Sequence, residues 1–331
     1  MDYKISEFKD GIYWIDIETS SSIKARLCTF GASVYSLSIF NRPMILTLKD
    51  ENEFLTCPQY YGKTLGRVCG RVRCDGELDG KPYHLLQTKD FNYCLHAGDD
   101  KSLSYKNFDY KVSENDKAIK VHFKIVDKDK ENGFPGKCHI SVIYEFSKEK
   151  PEFRIHFKGK TNETTLMNLS NHMYFNFDND LDLKGYTLKM NASKYGLTDD
   201  TVFIIETKEV PSYLDFKKAT KINSKFNDIV KSPLETIDNT FIFDSENSKK
   251  PQVILKNKDT KLSLYTDYPA MNIYLDNSLT DVKFANRDDF KLARGIALEP
   301  QLYNPNLNSL ILRKGEKYNH FIRYKFKDLT K

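Results

Sequence analysis

Two residues in unusual company mark where this chain can move protons. The segment NLSNHMYFNF, Asn168 to Phe177, sets His172 among three amides (Asn168, Asn171, Asn176) and three bulky apolar residues (Met173, Tyr174, Phe175). An imidazole held by amides and walled by aromatic rings changes charge with small changes around it, which a general acid near neutral pH requires. The same pattern also suits a buried histidine that satisfies its own hydrogen bonds in a strand-rich core. Glu299 closes the apolar run IAL and precedes Pro300, which favours an extended conformation for it. A carboxylate so placed is partly desolvated, and its pKa rises toward that of a useful base. The alternative is a strand-end glutamate facing water.

Three further stretches offer ligand-holding groups. In GKTLGRVCGRVRCDGELDGKPYHL, residues 62–85, Gly62, Gly66 and Gly70 alternate with Arg67, Arg71 and Arg73. A phosphate loop is a poor fit, because no GK[ST] follows and no helix opens. An arginine fork aimed at a ligand oxygen fits better. Pairing of these arginines with Asp75, Glu77 or Asp79 at a hairpin is the competing reading. In NYCLHAGD, residues 92–99, Ala97-Gly98 turns the backbone sharply after His96 and leaves the imidazole projecting from a loop. In TIDNTFIF, residues 236–243, Asp238 stands before an alternating run.

The elements that must position these groups are strands. Tyr35, Leu37 and Ile39 alternate with serines; Ile119, Val121, Phe123 and Ile125 with Lys120, His122 and Lys124. Ile140 to Phe146, Phe153 to Phe157 and Ile322 to Phe326 repeat the period of two, the signature of half-buried antiparallel strands. Turn signals lie at Asp79-Gly80, Asn132-Gly133 and Pro135-Gly136, and in polar loops around 99–107, 127–134 and 245–251. Short helices are expected only near 213–219 and 223–231. With no repeat and no Pro/Ser-rich linker, residues 1–331 read as one large antiparallel β-sandwich, mainly β, with its functional groups on strand ends and loops.

Composition narrows the function. Among 331 residues, 51 Lys and Arg face 46 Asp and Glu, a net +5 that is dispersed rather than blocked. Neither nucleic acid nor an anionic membrane is called for. No run approaches the roughly 20 apolar residues of a membrane helix, and the charged N-terminus MDYKISEFKDGIYWIDIE has no signal-peptide core. A cytoplasmic protein is expected. The six cysteines (Cys28, Cys57, Cys69, Cys74, Cys94, Cys138) form no CxxC pair and have no histidines at zinc spacing. They read as reduced thiols, with no metal and no cofactor implied.

Taken together the stretches resemble the aldose 1-epimerase (galactose mutarotase) family. The family's GRxANRI and G.F.LDG..Y.L resemble GRVCGRV and GELDGKPYHL, its LHGG resembles LHAG, and its NLTNHxYFNL resembles NLSNHMYFNF. Its D..F resembles Asp238 to Phe241, and its YT..PG.Q.YTGN resembles YTDYPAMNIYLDN at 265–277. Its EPQ resembles EPQLYNPNLN, and its GYPG turn resembles ENGFPGKCHISVIYEF at 131–146. The likeness runs in order from about residue 10 to the C-terminus.

The resemblance implies a galactose mutarotase-like supersandwich that interconverts the α and β anomers of an aldohexose by opening and reclosing the pyranose ring. Glu299 would be the base at the anomeric hydroxyl and His172 the acid at the ring oxygen. Arg71 and His96 would hold the reacting oxygens, and Asp238 would accept from sugar hydroxyls. Such chemistry needs an acid and a base on opposite sides of a small neutral ligand. Activity should then fail at low pH as Glu299 protonates and at high pH as His172 loses its proton. Tyr174, Phe175 and Tyr303 suit either apolar walls for a sugar face or core packing. Departures at Gly70, Ala97, Asn272, Leu275-Asp276 and Asn304-Pro305-Asn306 touch the pocket rather than the acid and base. They leave the sugar open: galactose, glucose, another aldose or a larger sugar. A hexose-phosphate mutarotase and a non-catalytic sugar-binding or sensor protein remain as alternatives, and the protein is expected as a monomer or homodimer.

Overall fold

The alternation in the sequence is realised strand by strand in the computed structural model, which describes residues 2–98, 101–180, 182–199, 202–232, 234–245, 247–277, 282–285 and 293–331. On Ala118–Asp127, Cys138–Ser147, Glu152–Thr161 and Tyr318–Asp328 the predicted apolar positions are buried, Ile125 only partly, while Lys120, Lys124, Lys158 and Lys325 between them meet solvent. These four strands are the centre of a nine-stranded sheet. In order it runs Asp109–Glu114, Ala118–Asp127, Cys138–Ser147, Glu152–Thr161, Tyr318–Asp328, Thr260–Thr266, Val253–Lys256, Thr187–Met190 and Thr220–Lys221. A six-stranded sheet runs Tyr174–Phe175, Ile296–Gln301, Ala270–Leu275, Asp238–Phe243, Ala192–Thr198 and Ile204–Glu209. A five-stranded meander, Tyr3 to Pro43, completes the large sheets. The ladders of all three are antiparallel.

One face of each sheet feeds a shared core. Phe123, Val142 and Phe157 from the nine-stranded sheet, Phe241, Met271, Ile273 and Leu298 from the six-stranded sheet, and Ile15, Leu27 and Leu37 from the meander belong to the same buried cluster. Burying apolar area of this extent is the main favourable term in folding. The six-stranded sheet also has a second face, and pairing register decides what it carries. Thr240 lies opposite Asn272, and Asn272 opposite Glu299. Because cross-strand partners and residues two apart share a face, Asp238, Thr240, Asn272, Tyr274, Glu299 and Gln301 project together, away from the core.

The turns follow their residue types. Asp79 and Gly80, both at positive φ, close the hairpin between Asp75–Leu78 and Lys81–His84 as a two-residue loop. The expected helices shrink to 3-10 turns at Ser212–Leu214 and Ile222–Ser224 and one short helix, Phe226–Val230. Asp215 leaves the first of these in an extended conformation, which stops the helix that 213–219 suggested. A further short helix, Glu53–Thr56, has no periodic signal in so brief a run. No helix among the described residues is long and apolar enough to cross a membrane.

Candidate active site

Three chain segments converge on the projecting face of the six-stranded sheet. The stretch 67–69 runs beside 168: Asn168 N–H donates to the Arg67 carbonyl at 2.9 Å and Cys69 N–H to the Asn168 carbonyl at 2.6 Å. The Asn168 side chain bonds Leu302 N–H and the Cys69 carbonyl, and Ser170 Oγ donates to the Pro300 carbonyl. The motif around His172 is therefore tied to both the arginine loop and the Glu299 strand. Asn171 and Asn176 likewise bond backbone groups, at Gly62 and at Asp180 and Arg294. The three amides expected around the imidazole instead hold the chain that carries it.

His172 itself is fixed through its backbone, which exchanges hydrogen bonds of 3.0 Å with Gly62 and Lys63. Glycine is obligatory at 62: φ is +65°, and a Cβ would lie 1.9 Å from the Val34 carbonyl oxygen. The ring lies 4.7 Å from Tyr174 and 6.1 Å from Tyr60, centroid to centroid, with His96 edge-on at 5.5 Å. His172 Nδ1 is buried with no partner among the described residues, whereas Nε2 faces Glu299 Oε1 at 3.4 Å. This is not a histidine that satisfies its own hydrogen bonds. Nor does Glu299 face water, being 1% exposed.

Electrostatics follow from that burial. Burial pushes His172 down to about 4 and Glu299 up to about 8, the latter also because Asp238 is near. Between those values the pair holds one proton, and it sits on Glu299. Cys69 Sγ, its thiol held well up in pKa by burial and by Glu299, donates to Glu299 Oε2 at 3.5 Å.

His96 sits in three successive residues of left-handed backbone, at φ +50°, +69° and +96° for His96, Ala97 and Gly98. Its backbone N–H donates to the Gly70 carbonyl at 2.9 Å, and Gly70 N–H donates to Nδ1 at 3.2 Å. Burial and the neighbouring His172 and Arg71 hold His96 neutral, so its proton is on Nε2 as a donor. Asp99, the last residue of that motif, lies outside the described residues.

The three arginines have separate fates. Arg67 is buried, bonded to Asp127 at 2.8 Å and to the carbonyls of Pro135, Gly136 and Lys128. Arg73 lies over Phe203 at 4.3 Å. Arg71 alone enters the site, donating to Asp238 Oδ2 at 2.6 Å, while Asn272 donates to Oδ1 at 3.1 Å. Asp75 and Asp79 bond His84 and Arg313 instead. Burial pushes Asp238 up, but Arg71 and Asn272 outweigh it and keep it an anion.

Arg71, His96, His172, Asp238, Asn272 and Glu299 line one cavity of about 420 Å³, within the size range of small-molecule sites. Of the three aromatic residues left open between sugar wall and core, Tyr174 is on the cavity wall, Phe175 is in the main core, and Tyr303 bonds Thr207 outside the cavity. Sequence reasoning did not single out Cys69, Tyr60, Tyr93 or Gln301. Only the strand register, which sets Gln301 two residues beyond Glu299, would have found one of them. Cys69, His96 and Glu299 also place potential ligand atoms within 4.8 Å of one another. That closeness arises because all three converge on the same cavity.

The sequence profile of aldose 1-epimerases matches residues 14–325. Galactose mutarotase of Homo sapiens is 25% identical over 329 residues, spanning 93% of this chain and 92% of its own. Aldose 1-epimerase of Haemophilus influenzae is 26% identical over 332 residues, spanning 95% of each. Among solved structures, galactose 1-epimerase of Lactobacillus acidophilus superposes with a TM-score of 0.87 at 22% identity over 98% of both chains.

Proposed function

The chain belongs to the aldose 1-epimerase family of isomerases, and we propose that it exchanges the anomers of an aldohexose such as galactose or glucose through the Glu299–His172 pair. The observation that carries this reading is their 3.4 Å separation on the buried floor of the cavity. Ring opening removes a proton from the anomeric hydroxyl and adds one to the ring oxygen, and both oxygens are bonded to C1. An acid and a base side by side on the cavity floor can therefore serve both oxygens in one step.

Transfer of the pair's one proton from Glu299 to His172 yields a carboxylate base and an imidazolium acid. Glu299 takes the proton of the anomeric hydroxyl as His172 protonates the ring oxygen. The C1–O5 bond breaks, and O1 becomes the aldehyde oxygen. Rotation about C1–C2 and reclosure on the other face, with the roles reversed, give the second anomer. His96 Nε2–H and Arg71 polarise the reacting oxygens, and Asp238 accepts from sugar hydroxyls. Each proton-transfer group supplies ~10²–10⁴-fold, roughly 3–5 kcal/mol of barrier.

Among the described residues, a phosphorylated hexose finds one cation in the cavity lining, Arg71, and it is already paired with Asp238. A pure sugar binder has no need of a buried base and acid in contact. We read residues 1–331 as one galactose mutarotase-like unit acting in the cytoplasm as a monomer or homodimer. Its dispersed charge calls for neither nucleic acid nor membrane. Polarimetry of freshly dissolved α-D-galactose and α-D-glucose tests the reading: the protein accelerates the decay to equilibrium, and Glu299→Gln abolishes the acceleration. No acceleration with either sugar would sink it.

A further inference from the structure

A chain of hydrogen bonds crosses the projecting face of the six-stranded sheet, and its direction is fixed at one end. Asp238, held as an anion, can only accept: Arg71 donates to its Oδ2 at 2.6 Å and Asn272 Nδ2 to its Oδ1 at 3.1 Å. The Asn272 amide also donates to Glu299. Both of its N–H groups thus face carboxylates, and its Oδ1 is left to accept. Thr240 is the donor, its hydroxyl meeting Asn272 Oδ1 at 3.2 Å. That commits the Thr240 proton, so the Thr240 oxygen accepts in turn, from Gln301 Nε2 at 3.3 Å. The order fixes the Gln301 amide as well. Turned over, its Oε1 would meet an oxygen with no proton to give.

Gln301 Oε1 is therefore the accepting end of the chain. It is buried with no partner among the described residues, on a side chain that lines the cavity and is 6% exposed. A buried acceptor without a donor is costly and uncommon, and a ligand hydroxyl would satisfy it. Gly70 keeps it uncovered: a Cβ there would lie 3.3 Å from Oε1, and φ of +84° suits glycine. Gln301 stands two residues beyond Glu299 on the same strand face, about 7 Å along the strand. With Glu299 at the anomeric oxygen, that step reaches across a pyranose ring. We propose that Gln301 sets substrate specificity by accepting a hydrogen bond from a ring hydroxyl remote from C1, on C3 or C4. The inference rests on the anomer-exchange reading above and says how that site recognises its sugar. A sugar without this hydroxyl leaves the buried oxygen unpaired, which is how a hydrogen-bonding site rejects a deoxy analogue. The hydroxyl takes no part in the proton transfers, so its effect belongs in KM more than in kcat.

Anomer exchange of the 3-deoxy and 4-deoxy forms of whichever hexose is turned over better, with its 2-deoxy form as control, tests it. In the wild-type protein, kcat/KM for the 3-deoxy or the 4-deoxy sugar should fall about ten-fold or more below the parent, the scale of one buried unpaired acceptor. Gln301→Met keeps the length of the side chain and removes the acceptor. It should raise KM for the parent by about ten-fold, more than it lowers kcat, and erase that penalty while leaving the 2-deoxy penalty in place. Gln301→Glu retains an acceptor oxygen and should retain the penalty. Should Gln301→Met fold poorly, Thr240→Val, which releases the amide from its anchor, should shrink the same penalty. Wild-type protein with no penalty on either analogue, or a Gln301→Met loss equal on parent and deoxy sugars, overturns the role of Gln301 alone. No acceleration of any sugar overturns the anomer-exchange reading and this role with it.

Discussion

Glu299 Oε1 stands 3.4 Å from His172 Nε2, and each side chain is almost fully buried. Neither residue is hydrogen-bonded strongly enough elsewhere to offset burial: His172 Nδ1 has no partner among the described residues, and Glu299 has the weak thiol donor of Cys69 and the Asn272 amide. The two therefore titrate as a unit, and what that unit can do depends on how many protons it carries.

Removing the carboxylate while keeping its shape separates chemistry from binding. Glu299→Gln should lower kcat by ~10²–10⁴-fold and leave sugar affinity within a few-fold, because the amide still fills the space but takes no proton. Stopped polarimetric assays alongside calorimetric titration of the sugar make the comparison. Equal loss of turnover and affinity would make Glu299 a binding residue.

The pH profile should be a bell with limbs near 4 and 8. Glu299, raised to about 8, keeps its proton up to that pH; above it the pair has no proton to give. His172, lowered to about 4, gains a second proton only below that pH, and the pair then has no base. Activity thus falls on either side of the one-proton state. The groups exchange the limbs that the sequence reading assigned to them, because burial outweighs every neighbour for both residues. A profile of kcat/KM from pH 3.5 to 9.5 decides; a flat one would remove the pair from the mechanism.

Cys69 should tune the alkaline limb. Its thiol donates to Glu299 Oε2, which favours the carboxylate. Cys69→Ala removes the donor, so the Glu299 pKa should rise and the upper limb move to higher pH, while Cys69→Ser, a stronger donor, should move it down. A variant that lost activity without displacing the limb would give the thiol a packing role only.

Much of this arrangement was legible beforehand, for a physical reason. Strand alternation reports burial directly, so Val121, Tyr144 and Phe157 were placed in the core from the period of two. The five site residues named from the sequence all line the cavity. Their mutual distances were not legible, since the contact of His172 with Glu299 depends on pairing across 127 positions of chain. What surrounds His172 was misjudged too. Asn168, Asn171 and Asn176 are adjacent in sequence, yet their amides serve Leu302, Gly62 and Arg294. Cys69 carries no local signal at all, because a small apolar residue in a loop reads as packing until the strand of Glu299 is laid against it.

The last test divides two arginines that the sequence could not tell apart. Arg67 has a fully buried guanidinium whose bonds run to Asp127, Thr165 and three backbone carbonyls. Arg67→Met should cost about 3–5 kcal/mol of stability by leaving those buried carbonyls without a donor and Asp127 with Lys106 as its remaining cation. The fraction still folded should keep its KM, because Arg67 does not line the cavity. Arg71 is about a quarter exposed and makes one short bond, to Asp238. Arg71→Met should lower stability less, yet raise KM about ten-fold or more, since it removes a charged donor to the sugar and frees Asp238 to take up a proton. Chemical denaturation and steady-state kinetics on both variants give the two readouts. If Arg67→Met shifted KM and Arg71→Met shifted only stability, the assignment of Arg71 to the sugar would be wrong.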